Sequence, residues 1–157
     1  MRTTAKVDYA VRAAIELARS YPTDDGRPVP VTRQTIADAQ AIPSKFLEHI
    51  LADLKRNQLV GSVRGADGGY WLQRAPELIS MADIIRAVEG PLADVRGERP
   101  DALDYPDDLE ALQRAWIAVR ANLRAVLERV TLADLRDAKL HPDVERLAAD
   151  PDAWLVR

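Results

Sequence analysis

The side chains whose types and spacing suggest chemistry are Arg64, with glycines at 65, 68 and 69 just after it, and the trio Lys45, Glu48 and His49. Arg64 stands where an extended run, Leu59, Val60 and Val63, enters a turn marked by Asp67-Gly68, and extended character resumes through Gly69, Tyr70, Trp71 and Leu72. Gly65, Gly68 and Gly69 lack the side chains that would hold the backbone away from a phosphate or a groove floor, so the hairpin tip is thin and cationic. Asp67 runs against this, because a carboxylate repels phosphates, and the tip is expected to bend away from a nucleic-acid backbone. Just upstream, Phe46, Leu47, Ile50, Leu51 and Leu54 recur at helical spacing and form one apolar stripe, leaving Lys45, Glu48, His49, Ala52 and Arg56 on the opposite face. From that face a lysine can reach guanine, a glutamate cytosine amino groups, and a histidine either a donor or an acceptor on a base edge. The blander reading of Glu48 is that it only orients a neighbouring cation.

Positioning these groups requires a short set of elements. A first helix is expected from about Thr4 to Ser20, with Val7, Ala10, Val11, Ala14, Ile15, Leu17 and Ala18 inward. Tyr21 to Pro30 carries three prolines, a glycine and Asp24-Asp25, which is loop chemistry. Thr32 is a good N-cap for a helix over Arg33 to Gln40. The turn Ala41-Ile42-Pro43 then opens the helix that carries Lys45, Glu48 and His49. Two short helices so tightly joined suit a helix-turn-helix, although an ordinary helical hairpin would read alike without the glycine-tipped hairpin that follows. The fold class expected is mainly α with a small β-hairpin wing: a winged helix-turn-helix over residues 1–78, and over 79–157 a region for dimerisation and sensing built on a long C-terminal helix.

In the second half, Ser80-x-x-Asp83 is a capping box for a helix bearing Met81, Ile84, Ile85 and Val88, ended by Gly90-Pro91. Leu92 to Pro106 reads as a polar loop. From a cap at Asp107 or Asp108, Leu109, Leu112, Trp116, Val119, Leu123, Val126 and Val130 step alternately by three and four, a narrow seam that wants a partner helix and predicts a two-fold homodimer. Thr131-x-x-Asp134 caps one more short helix, and the tail is expected to be partly helical and docked by Trp154.

Composition narrows the classes. The chain has 157 residues, 30% charged and 47% hydrophobic, with a net charge of -3. Residues 1–75 hold 11 Lys+Arg against 8 Asp+Glu, and residues 76–157 hold 11 against 17, so the half with the helix and hairpin is the basic one. That excess alone is ordinary surface scatter; it gains meaning beside the motif. No apolar run approaches a membrane span, and the start is too interrupted for a secretory signal, so a soluble cytoplasmic protein is expected, without a membrane partner. Cysteine is absent, which removes disulfides, thiol switches and thiolate metal sites. His49 and His141 have no metal-ligand spacing, Asp107-Asp108 suits a helix start, and the 65–69 segment lacks the pattern of a phosphate-binding loop. No catalytic constellation, cofactor or metal is expected.

The pattern LVxSVRGxxGGY from Leu59 to Tyr70, the opening from Met1 to Lys6 with Tyr9-Ala10-Val11, and Ile84 to Gly90 resemble the bacterial winged-helix regulators typified by the iron-sulfur cluster regulator, the nitric-oxide-sensing repressor and the cysteine metabolism repressor. The resemblance implies a regulator, expected to be a repressor, that binds double-stranded DNA at a palindromic operator. It implies that Arg64 enters the minor groove, that Arg2, Thr4 and Lys6 contact phosphates, and that Thr32, Ser44, Lys45, Glu48, His49, Arg56, Gly65, Gly68, Gly69 and Tyr70 complete the DNA-facing set. Cluster-bearing members place three cysteines in the loop corresponding to Leu92 to Pro106, and some supply a carboxylate near Asp8; here no thiolate exists. A cluster-free protein sensing a small-molecule effector or a partner protein is therefore expected. The alternative is a winged-helix module that binds another protein and has no operator.

Overall fold

The computed structural model describes residues 3–22 and 28–155. Helix α1 (Ala5–Arg19) begins where the Thr4 hydroxyl accepts from the Val7 N–H, and it buries Val7, Ala10, Val11, Ala13, Ala14, Leu17 and Ala18. Ile15, expected inward, is half-buried. So many alanines let neighbouring helices come close, and α1 packs against α2 (Arg33–Gln40), α3 (Ser44–Arg56), α4 (Met81–Glu89) and α6 (Leu132–Arg136). Thr32 caps α2 through the Thr35 N–H, and Ala41 ends it in the left-handed region at φ 50°. Helix α3 buries Leu47, Ile50, Leu51 and Leu54. Phe46 departs from the expected stripe: it is 51% exposed, and its ring meets Tyr9 edge-on at 6.1 Å.

The hairpin pairs β1 (Val60–Val63) with β2 (Gly69–Leu72) antiparallel, with Val63 opposite Gly69 and Val60 opposite Leu72. Its far side is fastened to the chain before α2, where Val31 and Tyr70 exchange two backbone hydrogen bonds of 2.8 Å. Two capping boxes form as expected, Ser80 with Asp83 at α4 and Thr131 with Asp134 at α6. The core is continuous across position 78, since Ile79, Ile84, Val88 and Leu132 belong to the same apolar cluster as the residues of α1, α2 and α3.

Helix α5 (Glu110–Leu127) differs from the rest: none of its 18 residues is buried. The cap expected at Asp107 or Asp108 is absent, because Asp107–Leu109 forms a 3-10 turn and no side chain caps α5. The loop before it is more ordered than a polar connector. Leu92, Pro100 and Leu103 are buried, Gln113 donates to the Pro100 and Leu103 carbonyls at 3.0 and 2.7 Å, and Arg120 donates to the Leu92 carbonyl at 2.6 Å. The tail contains α7 (Pro142–Ala148), which buries Val144, but the Trp154 ring is 76% exposed and only its indole N–H is held, by the Ala148 carbonyl. Among the described residues no helix is long and apolar enough to cross a membrane.

Candidate nucleic-acid interface

The outer face of α3, the start of α2 and the inner side of the hairpin enclose an open cleft of about 600 Å3. Among the described residues, Arg33, Glu48, Lys55 and Arg64 are its charged lining, so that three cations face one carboxylate. Glu48 projects from α3 toward α2 and meets the Arg33 guanidinium at 3.1 Å. Lys55 lies two turns further along α3 and donates to the Ser62 hydroxyl of β1 at 2.7 Å, tying helix to hairpin. Both pairs are solvent-exposed, so they orient side chains more than they stabilise the fold. A phosphate arriving in the cleft can exchange with either partner at small cost.

Each residue anticipated as a DNA contact has a definite place. Lys45 and His49 are exposed on α3 and make no hydrogen bond or ion pair among the described residues, and Ser44 opens the same helix, exposed. Arg64 is exposed at the end of β1, likewise unpaired among the described residues. Thr32 and Tyr70 line the cleft. Arg56 ends α3, 73% exposed at its side chain, and pairs with Asp53 at 3.0 Å. Thr4 and Lys6 are turned to structural work: the Thr4 hydroxyl is bonded to Glu89, and the Lys6 ammonium reaches Asp53 at 2.8 Å and the Val88 carbonyl at 2.7 Å. That ammonium holds the Asp53 carboxyl below the ordinary carboxylate range. Arg2 lies outside the described residues.

The hairpin tip differs from the Asp67-Gly68 turn read from sequence. The turn is closed by the Gly68 N–H donating to the Gly65 carbonyl at 3.0 Å, which puts Ala66 and Asp67 at its two central positions, and Gly65 carries the positive φ of 121°. The other two glycines answer to the protein itself. A Cβ on Gly68 would lie 2.6 Å from the Val63 carbonyl oxygen, and one on Gly69 would lie 2.6 Å from that of Val31. Both contacts are to backbone, which cannot step aside.

Sequence reasoning passed over Arg33, Lys55 and Ser62. Lys55 had a signal, since seven residues after Glu48 it returns to the same flank of α3. Arg33 had none, because its approach to Glu48 is set by how α2 crosses α3.

The residues expected to form a seam on α5 differ in exposure within the protomer. Leu112, Trp116 and Val119 are exposed, together with the unanticipated Ile117, whereas Leu123 and Val126 are half-buried within the protomer. Leu109 belongs to the turn before the helix, and Val130 lies beyond it, 3% exposed, with its carbonyl accepting from the Met81 N–H.

Comparison with known proteins places this geometry. A family model described as Rrf2, iron-dependent transcriptional regulator, matches residues 3–138. A Mycobacterium tuberculosis protein named as an HTH-type transcriptional regulator is 43% identical over 155 residues, covering 96% of this chain and 90% of its own length. The HTH-type transcriptional regulator CymR of Bacillus subtilis is 34% identical over 135 residues, covering 86% of this chain and 89% of its own. The solved structure of CymR, the global cysteine regulator of B. subtilis, superposes with a TM-score of 0.69 at 31% identity, over 88% of this chain and 98% of that one. The T. potens IscR structure gives 0.65 at 30% identity, over 100% of this chain and 93% of that one. The iron in the family description finds no matching donor set here. The chain has no cysteine, the described residues contain no group of three or more His, Asp or Glu arranged to hold a metal, and Asp8 is paired with Arg12 at 3.3 Å. An iron-sulfur cluster needs thiolates, and hard carboxylates do not replace them.

Proposed function

Because the chain belongs to the Rrf2 family of transcriptional regulators, a DNA-binding helix-turn-helix family, we propose that it acts as a homodimeric, cluster-free repressor of a palindromic operator, responsive to a small molecule or a partner protein. The observation that carries the DNA reading is the cleft between α3 and the hairpin, lined by Arg33, Lys55 and Arg64 and flanked by the exposed Lys45 and His49. In this reading the exposed edge of α3 lies along the major groove, and Arg64 at the hairpin end reaches the adjacent minor groove, where a guanidinium is drawn by the enhanced negative potential of narrow A/T-rich tracts. Arg33 and Lys55 sit between the two and take phosphates, which fix register without reading sequence.

The dimer reading rests on α5. A helix with no buried residue that displays Leu112, Trp116, Ile117 and Val119 leaves apolar surface that a second copy of the same helix can cover around a two-fold axis. Two heads so joined would set their α3 helices about 34 Å apart, one turn of duplex. Selection of bound fragments from genomic DNA tests the whole proposal. Enrichment of an inverted repeat with half-sites one helical turn apart is the expected result; binding that shows no sequence preference and no salt dependence would point to a protein partner instead.

A further inference from the structure

A second cavity, of about 390 Å3, opens between α1, α4, the loop that follows α4, and α5. Its apolar wall is Val7 of α1, Met81 and Ile85 of α4, Leu92, and Leu123 and Leu127 of α5. Val7 and Leu92 are buried and the other four only half-buried, so the cavity keeps wet apolar surface that a closed core would cover. Among the described residues, Glu89 and Asp94 are the charged ones that line it, and both are exposed. Glu89 is bonded to the Thr4 hydroxyl, while Asp94 makes no hydrogen bond or ion pair among the described residues. The neighbouring Arg120 is occupied with the Leu92 carbonyl. The volume falls at the small end of small-molecule sites, which are concave and mostly apolar with a few convergent polar groups.

We propose that this cavity binds a compact apolar molecule carrying one basic group. The apolar body packs on Met81, Ile85, Leu123 and Leu127, and the ammonium faces Asp94 and Glu89 at the mouth. The site deepens the regulator reading, on which only its consequence rests: a ligand held at once by α4 and by α5 biases how α5 sits against the head, and shifts DNA affinity by its preference between the two placements.

Three probes of one shape, cyclohexylmethylamine, cyclohexylmethanol and cyclohexanecarboxylate, test this on the full chain by methyl NMR of Met81, Ile85 and Leu123. The amine should shift these methyls saturably, the alcohol should bind roughly two- to fivefold more weakly, as befits an exposed ion pair, and the carboxylate should bind least. Asp94→Asn, a surface change that leaves the fold alone, should narrow the difference between amine and alcohol, since it removes one of the two carboxylates at the mouth. Ile85→Trp should fill the cavity and abolish the shifts, provided its thermal midpoint shows a folded protein; the Asp94 variant carries the test otherwise. Equal binding of all three probes, or no saturable shift with any, overturns the proposal. Random-duplex binding measured on the same preparation separates the two readings. Methyl shifts without duplex binding would refute the regulator and keep the cavity, and duplex binding without methyl shifts would do the reverse.

Discussion

The Lys6 ammonium lies 2.8 Å from the Asp53 carboxylate and 2.7 Å from the Val88 carbonyl, so one side chain of α1 holds the proposed recognition helix and caps the end of α4 together. The Asn57 amide adds a second donor to that end, at 3.1 Å from the Ala87 carbonyl. The last carbonyls of a helix have no partner within it and carry the negative pole of its dipole, which is why a cation and an amide settle there. The orientation of α3 relative to α1 and α4 thus depends on a polar junction as well as on the apolar core.

Asp53→Asn should cost about 1–3 kcal/mol at neutral pH, since it leaves a partly buried ammonium short of its partner. The pH dependence has a definite sign. Lys6 lowers the folded-state pKa of Asp53, so the carboxylate contributes its full stabilisation above its unfolded value of about 4 and loses it as pH falls through the depressed folded value. Urea titrations of both proteins at descending pH should therefore show the gap between wild type and variant narrowing in acid. A gap that stays constant down to about pH 2 would mean that the pair contributes nothing through its charge.

Arg64→Ala should weaken operator binding by about 1–3 kcal/mol and relax preference at the flanking minor-groove step. Arg33→Ala should instead weaken all sequences alike and lower the salt slope by about 1, because a phosphate contact releases counterions without reading a base. Competition assays with point-mutated operators distinguish the two patterns. Should Arg64→Ala change affinity equally on every sequence, the hairpin positions the protein but does not read.

Much of this arrangement is legible in the sequence because the signals are local. Thr32, Ser80 and Thr131 cap helices within their own turn, and the extended runs of β1 and β2, on either side of the glycine-rich tip, pair antiparallel with each other. What escapes depends on contacts far apart in the chain. Nothing near Lys6 reveals that Asp53 and Val88 will engage its ammonium, or near Gly69 that the Val31 backbone will press against it. Val130 fits the heptad count of α5 yet lies past its end, because spacing records period and not where a helix stops.

Dimerisation should be lost on Val119→Asp, which places a carboxylate at the centre of the exposed face of α5. Val119 is the better position than Leu123, whose half-buried side chain also packs within its own protomer. Sedimentation should give a wild-type dimer and a folded variant monomer that still binds a single half-site weakly. A wild-type monomer, or a variant that remains dimeric, would move the interface elsewhere.

Iron supplies the last test, because the family description calls for it and this chain does not provide for it. The loop from Leu92 to Pro106 offers Asp94, Glu98, Asp101 and Asp104 as carboxylates, of which Asp101 is already engaged by Arg99, and it offers no sulfur. His49 is exposed on α3 and His141 accepts from the Asp143 N–H at 3.2 Å as the cap of α7, so neither imidazole joins those carboxylates. Cluster binding requires soft ligands gathered at one place, and a scattered set of hard oxygens holds iron only loosely. Protein purified without oxygen should therefore be colourless and free of stoichiometric iron, and should bind duplex equally well in air and under anaerobic conditions. Visible absorbance with iron in a fixed ratio to protein would require a ligand set that these residues do not form, and would return control of DNA binding to the metal.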